Sequence, residues 1–243
     1  MLVTWTAVVT AAGLTVSGLA FVGARTLDRM ASTTVTVGPV EPIALATLAK
    51  RSVVYARDGR VLTVLHAEED RIQIGLGQAP PHVLRAVLGA EDERFYEHGA
   101  LDARAIVRAA VNNVEAGSVP EGGSTITQQL VKVELLTPRK VVDRKLNEAV
   151  LAMQMEEKYT KDQILERYLN AVYSGNGAYG LQAAAQRYYG VGVERLTLAQ
   201  GVLLAGLIRY PGGADPFANP QAAKVRRDAV TDRMRYLGHV TEA

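Results

Sequence analysis

The sequence predicts a mainly α-helical protein with one short β-hairpin and an N-terminal transmembrane helix. Apolar residues recur at helical spacing through most of the chain after residue 80. Upstream, an Arg-Asp-Gly-Arg tetrapeptide separates two β-branched runs, residues 52–55 and 61–65, and Asp-Gly between apolar runs is a strong hairpin signal. The first 24 residues carry no charged side chain. About 20 apolar residues suffice to cross a bilayer, so this run is long enough to span one.

The composition excludes several classes of protein. At 243 residues, 48% of them hydrophobic, the chain is long enough to bury a core of its own. The formal net charge of +2 does not indicate a nucleic-acid binder, so we expect no nucleic-acid partner. The absence of cysteine excludes disulfides and thiolate metal sites.

We divide the chain into three segments. Residues 1–30 are predicted to be a single-pass transmembrane anchor, residues 31–75 a connector with the hairpin, and residues 76–243 the functional domain. Trp5 suits an interfacial position at one end of the anchor. A cleaved signal peptide is the alternative, but no basic segment precedes the apolar run.

The helix predicted over residues 81–98 places a carboxylate on its apolar face. Leu84, Leu88, Glu91 and Phe95 follow one another at spacings of four, three and four, which puts them on one side of a helix. A carboxylate among apolar side chains loses hydration, and that environment suits proton transfer. The structural alternative is a carboxylate at a helix end that turns to solvent.

Further helices are expected between loops rich in glycine and proline. They are predicted over or around residues 103–114, 125–136, 142–153, 164–169, 181–189, 196–208 and 222–237. Apart from the hairpin, we expect this body to be entirely helical.

Five motifs in order carry a family resemblance. They are EDERFYEH (91–98), GGSTITQQLVK (122–132), RKLNE (144–148), KDQILERYLN (161–170) and LTLAQGVLLAGLIRYP (196–211). With these motifs the sequence resembles the peptidoglycan glycosyltransferases of glycosyltransferase family 51, from about residue 52 to residue 243. The hairpin also resembles the segment that precedes this module in bifunctional penicillin-binding proteins.

The resemblance implies a lysozyme-like α fold with a small lobe bordering the membrane. It implies inverting polymerisation of lipid II into β-1,4-linked glycan strands on the extracytoplasmic side of the cell membrane. The implied partners are lipid II, the growing glycan chain, the membrane, moenomycin-type inhibitors and other proteins of cell-wall synthesis. Glu91 is the implied general base and Glu148 the second carboxylate. Alternatively, Arg144 and Glu148 form an ordinary i, i+4 helix pair.

A leaving pyrophosphate needs cations and amide donors. The substrate-binding residues implied by the motifs are Asp92, Ser124, Thr125, Gln128, Gln129, Lys132, Lys140, Arg144 and Lys145. Ser124 and Thr125 could instead cap the following helix, a structural role compatible with phosphate binding. His98 and Asn170 are expected to be structural, with Asn170 ordering the loop behind it.

No cofactor is expected to be required, since no Asp-x-Asp pair or histidine-rich ligand set occurs. A Mg²⁺ or Mn²⁺ ion could still bridge the substrate pyrophosphate to Asp92 or Glu91. Three positions depart from the usual family pattern, namely Ala100, Val133 and Lys140. They put acceptor affinity and rate in question without removing a catalytic group.

Two other functions stay open, a lysozyme-like glycoside hydrolase and a non-catalytic membrane scaffold of the cell-wall machinery. The sequence contains no Ser-x-x-Lys motif of a transpeptidase. The chain is therefore expected to be either a monofunctional enzyme or the glycosyltransferase module of a bifunctional protein.

Overall fold

The computed structural model describes residues 43–48, 52–65, 70–106, 108, 123–135 and 141–241. These residues are mainly helical, which confirms the predicted class. The helices are α1 (Pro81–Glu91), α2 (Ile126–Glu134), α3 (Val141–Lys158), α4 (Lys161–Ala171), α5 (Leu181–Tyr189), α6 (Leu198–Ile208) and α7 (Pro220–Tyr236). The strands are β1 (Ser52–Tyr55), β2 (Val61–Leu65), β3 (Asp70–Arg71) and β4 (Ala178–Tyr179), and short 3-10 helices cover Leu76–Gln78 and Val193–Arg195.

The chain forms two compact units, each built from two segments. The first comprises Met1–Ala44 and Glu97–Tyr159, and the second Leu45–Tyr96 and Thr160–Ala243. In the first unit α2 packs on α3, and Oγ1 of Thr127 donates a hydrogen bond of 2.6 Å to Oε1 of Glu156. Residues 103–106 are helical, as predicted for the start of the helix over 103–114.

The hairpin of the second unit has the predicted strand bounds. β1 and β2 pair antiparallel, with Ser52 opposite Leu65. Gly59 adopts φ of 82° in the turn, a backbone conformation that glycine tolerates without steric cost. Oδ1 of Asp58 accepts a hydrogen bond of 3.0 Å from the backbone N–H of Arg60, which stabilises the turn.

The first helix ends earlier than predicted and buries a different face. Asp92 is extended, with φ of −161° and ψ of 82°, so α1 stops at Glu91 and does not continue to His98. Its buried face contains Val83 and Val87, whereas the predicted Leu84 and Leu88 are only half-buried. Glu91 lies at i+4 from Val87 and therefore belongs to the buried face after all.

Helix α6 is the centre of the second unit, packed against α1 and α7. It is apolar around most of its circumference, as expected for a helix covered on several sides. A Cβ atom on Gly201 would lie 2.8 Å from Cγ2 of Val83, so glycine allows α1 to approach closely. Gly206 similarly faces the backbone of Arg226 in α7, where a Cβ would meet a carbonyl at 3.2 Å.

A second small sheet was not predicted. β3 and β4 pair in parallel over two residues each, with Asp70 opposite Ala178. The expectation that only the hairpin is non-helical is therefore wrong. Such a short pairing has no hydrophobic alternation for a sequence pattern to register.

Several predictions concern residues outside those described. They include the transmembrane anchor over residues 1–30, most of the connector, the loop before α2, and Lys140. Within the described part of the chain, no helix combines the length and apolarity that crossing a membrane requires.

Candidate active site

The second unit contains the predicted base, Glu91. The side chain is the last in α1 and is 2% exposed. Nη2 of Arg209 lies 3.9 Å from its Oε2, a distance that gives charge attraction without a hydrogen bond. Arg209 follows α6 directly and is partly exposed. The carboxylate is therefore buried beside a cation that reaches solvent.

Tyr168 of α4 completes this neighbourhood. Burial raises its pKa well above the ordinary value, the charges of Glu91 and Asp92 raise it further, and Arg209 opposes the rise. The phenol is therefore neutral at physiological pH. Asp92, predicted to bind substrate, is itself buried next to Glu91 in the chain.

Two residues after Asp92, Phe95 and Tyr96, contact the start of α4, which contains the fourth motif. The hydroxyl of Tyr96 donates a hydrogen bond of 2.9 Å to Oδ1 of Asp162. Burial and this hydrogen bond raise the pKa of Tyr96 to about 12. Nζ of Lys161 lies 4.4 Å from the ring centroid of Phe95, within cation–π range. Contacts between the first and fourth motifs thus hold the segment that follows Glu91 in place.

The first unit contains the second carboxylate, Glu148 of α3. Its side chain is 1% exposed, and Oε1 accepts a hydrogen bond of 2.7 Å from Nζ of Lys145. The other oxygen, Oε2, is buried and has no hydrogen-bond partner among the described residues. Glu148 is therefore a buried carboxylate that is paired with Lys145.

Ser124 joins this pair, while Thr125 takes the structural role. Nζ of Lys145 also donates a hydrogen bond of 3.0 Å to Oγ of Ser124. Thr125 is the N-cap of α2, and it exchanges reciprocal hydrogen bonds with Gln128. Oγ1 of Thr125 also donates to the carbonyl of Ala100 at 2.7 Å. The capping expectation therefore holds for Thr125 and is wrong for Ser124.

The remaining predicted binding residues divide between α2 and α3. Gln128 is buried with its amide oxygen used in the cap, Gln129 is half-buried, and Lys132 is exposed in the last turn of α2. Arg144 lies in the first turn of α3. Of the three departures, Val133 is exposed, and Ala100 is buried with its carbonyl bound to Thr125.

Asn170 is structural, as expected, but it acts elsewhere in the chain; the structural role expected of His98 stays a prediction. Nδ1 of His98 lies 2.6 Å from the carbonyl oxygen of Gly99. The amide of Asn170 bonds both the backbone N–H and the carbonyl of Ile74 at 2.8 Å. Its side chain thus fixes the segment before α1, not the loop behind it.

Sequence reasoning missed two residues of the Glu91 neighbourhood, Tyr168 and Arg209. Tyr168 lies in the fourth family motif and Arg209 in the fifth. The available signal for Arg209 was a lone cation at the end of an otherwise apolar helix, directly before a tyrosine and a proline. Tyr168 lies in the helix predicted over residues 164–169, and its side chain is buried in the structure.

Comparisons with known proteins agree on the family. The family described as Transglycosylase matches residues 58–235. Penicillin-binding protein 1A of Aquifex aeolicus is 42% identical over 190 residues, covering 78% of this chain and 26% of that protein. Penicillin-binding protein 1A of Pseudomonas aeruginosa is 40% identical over 189 residues, covering 78% and 23%. The chain thus matches about a quarter of the length of these relatives.

A solved structure was also found, that of penicillin-binding protein 1A from Haemophilus influenzae. It superimposes with a TM-score of 0.46 at 21% identity, covering 82% of this chain and 20% of that one. The family match spans most of the chain and contains all five motifs and the whole of helices α1 to α6. The chain therefore belongs to the transglycosylase family, the peptidoglycan glycosyltransferases whose motifs it carries.

Proposed function

We propose that the chain polymerises lipid II into β-1,4-linked glycan strands and releases undecaprenyl pyrophosphate. The observation that carries the proposal is the buried carboxylate of Glu91, at the end of α1 and within the first family motif. The family match over residues 58–235 supports the reaction class. The substrate, the product and the mechanism belong to the proposal.

The reaction is a single displacement with inversion. Glu91 takes the proton from the 4-hydroxyl of the acceptor GlcNAc as that oxygen attacks the anomeric carbon of the donor. The bond from the anomeric carbon to the pyrophosphate oxygen breaks as the new glycosidic bond forms. One base and a stabilised leaving group suffice for such a step.

Glu148 is the second carboxylate of the proposal. Its negative charge, held by Lys145, would stabilise the oxocarbenium-like anomeric centre or fix the geometry of the site. The buried oxygen Oε2 can accept a hydrogen bond from a sugar hydroxyl, since no described residue uses it.

Cations and amides would bind the leaving pyrophosphate. Lys132 is exposed on α2, and Lys145 is partly exposed on α3. The full proposed set is Asp92, Ser124, Thr125, Gln128, Gln129, Lys132, Lys140, Arg144 and Lys145. A Mg²⁺ or Mn²⁺ ion would fit as a bridge between the pyrophosphate and a carboxylate such as Asp92 or Glu91, because oxygen ligands suit these ions.

We further propose the surroundings in which this chemistry occurs. The domain has a lysozyme-like architecture with a lobe at the membrane, anchored by residues 1–30 and facing the extracytoplasmic side. Lipid II and the growing glycan are its substrates, moenomycin-type compounds its inhibitors, and other cell-wall proteins its partners. Confinement to one surface would bring the enzyme to its lipid-linked donor.

The test compares two substrates with the same purified protein. Lipid II should yield glycan polymer, and moenomycin should suppress it. Intact sacculi should release no muropeptides, since release would identify the glycoside hydrolase instead. If lipid II yields no polymer and sacculi release no muropeptides, the proposal is refuted and the scaffold function is the alternative that remains.

A further inference from the structure

We infer that Arg209 is a positioning residue for the general base Glu91, and this inference rests on the proposed function. Arg209 is absent from the residue set that the motifs implied. It would act through Glu91 and need not touch the substrate.

The packing of α1 against α6 brings the two residues together. Val83 meets Gly201 near the start of the two helices, and Glu91 meets Arg209 at their ends. The separation in sequence from Val83 to Glu91 equals that from Gly201 to Arg209. The helices therefore run side by side in the same direction, and their register sets the Glu91–Arg209 pair.

The ends of parallel helices form an unfavourable place for a carboxylate. Unpaired carbonyls give each helix C-terminus a partial negative charge, so cations are favoured there and anions are not. Glu91 is the last residue of α1, and α6 ends at Ile208, directly before Arg209. Asp92 adds a second buried carboxylate. Arg209 supplies the positive charge that offsets these contributions.

Asp92, Arg209 and Tyr168 share the neighbourhood of Glu91. The titratable or charged groups that act together with Glu91 on Tyr168 are Asp92 and Arg209, and Tyr168 is a neutral phenol. The neighbouring carboxylate of Glu93 is paired with Arg233 of α7. Among these groups, Arg209 is the cation within 4 Å of Glu91.

The geometry also indicates positioning rather than proton transfer. At 3.9 Å the guanidinium attracts Oε2 of Glu91 without a hydrogen bond, so the carboxylate can still accept the substrate proton. Because the guanidinium is partly exposed, a small cation from solvent could occupy its place after truncation.

The first experiment measures lipid II polymerisation by Arg209→Ala, Arg209→Lys and Arg195→Ala in the full chain. We expect Arg209→Ala to lose on the order of tenfold to a hundredfold in kcat with little change in KM, since small misplacements of a base have such effects. Arg209→Lys should keep most of the activity. Arg195→Ala removes a cation whose side chain is 73% exposed and should behave as wild type.

Chemical rescue separates positioning from a general structural role. Millimolar guanidinium should restore part of the kcat of Arg209→Ala, whereas urea, a neutral molecule of similar shape, should not. Equal effects of guanidinium and urea would overturn the inference. So would a wild-type kcat in Arg209→Ala, or a raised KM with an unchanged kcat, which would make Arg209 a substrate-binding residue.

A second measurement does not depend on activity. Unfolding free energies of Arg209→Gln, Glu91→Gln and the double variant form a cycle, and coupled charges should make it non-additive. Additivity would overturn the inference even in an active enzyme. Non-additivity in a protein that polymerises no lipid II would refute the proposed function while leaving the ionic coupling intact.

Discussion

Oε1 of Glu148 lies 2.7 Å from Nζ of Lys145, one turn earlier on the same helix, and the carboxylate is almost completely buried. Burial of a charge is costly unless a partner compensates it. Lys145 supplies that compensation, and its own partial exposure lets it contact solvent or a ligand as well. The same ion pair therefore stabilises the first unit and maintains the negative charge of Glu148 that the proposed reaction needs.

We predict that Lys145→Met destabilises the protein by about 2 kcal/mol or more, because it leaves a buried carboxylate uncompensated. The double variant Lys145→Met/Glu148→Met should recover much of this loss. Urea unfolding of the three proteins measures it. Lys224→Met, which breaks an exposed pair with Asp228, is the control and should change little. Simple additivity of the two substitutions would contradict the prediction.

Ser124 and Thr125 are adjacent hydroxyls with opposite predicted effects. Thr125→Ala removes the cap of α2 and should lower stability by about 1 kcal/mol. Ser124→Ala leaves the cap intact but removes an acceptor from Lys145, so turnover should fall more than stability. Unfolding curves and lipid II turnover of both variants test this. A Ser124→Ala protein that is as unstable as Thr125→Ala and fully active would contradict it.

Glu91→Gln should fold normally and lose polymerisation by roughly 10²–10⁴-fold, the usual effect of removing a general base. Glutamine keeps the shape of the side chain but cannot take the proton. Glu97→Gln, at an exposed position of the same motif, is the matched control and should retain activity. Initial rates with lipid II decide the matter, and a largely active Glu91→Gln protein would exclude Glu91 as the base.

Elements with local causes were predictable from the sequence. The bounds of the hairpin follow from the Asp-Gly turn. Those of α5 follow from Gly180 and Gly190, both of which have positive φ in the structure. The burial of Glu91 was also predicted, although the predicted face was that of Leu84 and Leu88, whereas Glu91 is buried on the neighbouring face with Val83 and Val87.

Features that depend on contacts between residues far apart in the sequence were not predictable. The helical period continues beyond Glu91, but the chain after it is held by Tyr96 on Asp162 and by Glu93 on Arg233. Those contacts override the local preference for helix. Arg209 escaped notice for the same reason, since its partner lies on another helix, and sequence spacing carries no information on such a contact.

The close approach of α1 and α6 makes a stability prediction at Gly201. Alanine is normally the better helix former by about 1 kcal/mol. Here its Cβ would lie 2.8 Å from Val83, so Gly201→Ala should instead destabilise by about 1–3 kcal/mol. In a Val83→Ala background the same substitution should cost much less. Gly77→Ala, where the space is open, serves as the control in thermal unfolding. Equal costs in both backgrounds would show that Val83 does not limit the approach.

The final prediction sets the lysines against a divalent ion. Lys132 is exposed in the last turn of α2, and Lys145 lies beside Ser124, so both can present fixed positive charge to a leaving pyrophosphate. Fixed charges aimed at developing negative charge are a major source of rate acceleration. Lys132→Ala or Lys145→Ala should therefore lower turnover more than a chelator lowers that of wild type.

Lys132→Ala is the cleaner of these two variants, because the loss of Lys145 also leaves Glu148 without its partner. Lys224→Ala changes a surface lysine and should match wild type with and without chelator. Lipid II polymerisation rates of all four proteins make the comparison. If both lysine variants keep wild-type rates and chelation abolishes activity, then a metal ion rather than these lysines binds the pyrophosphate.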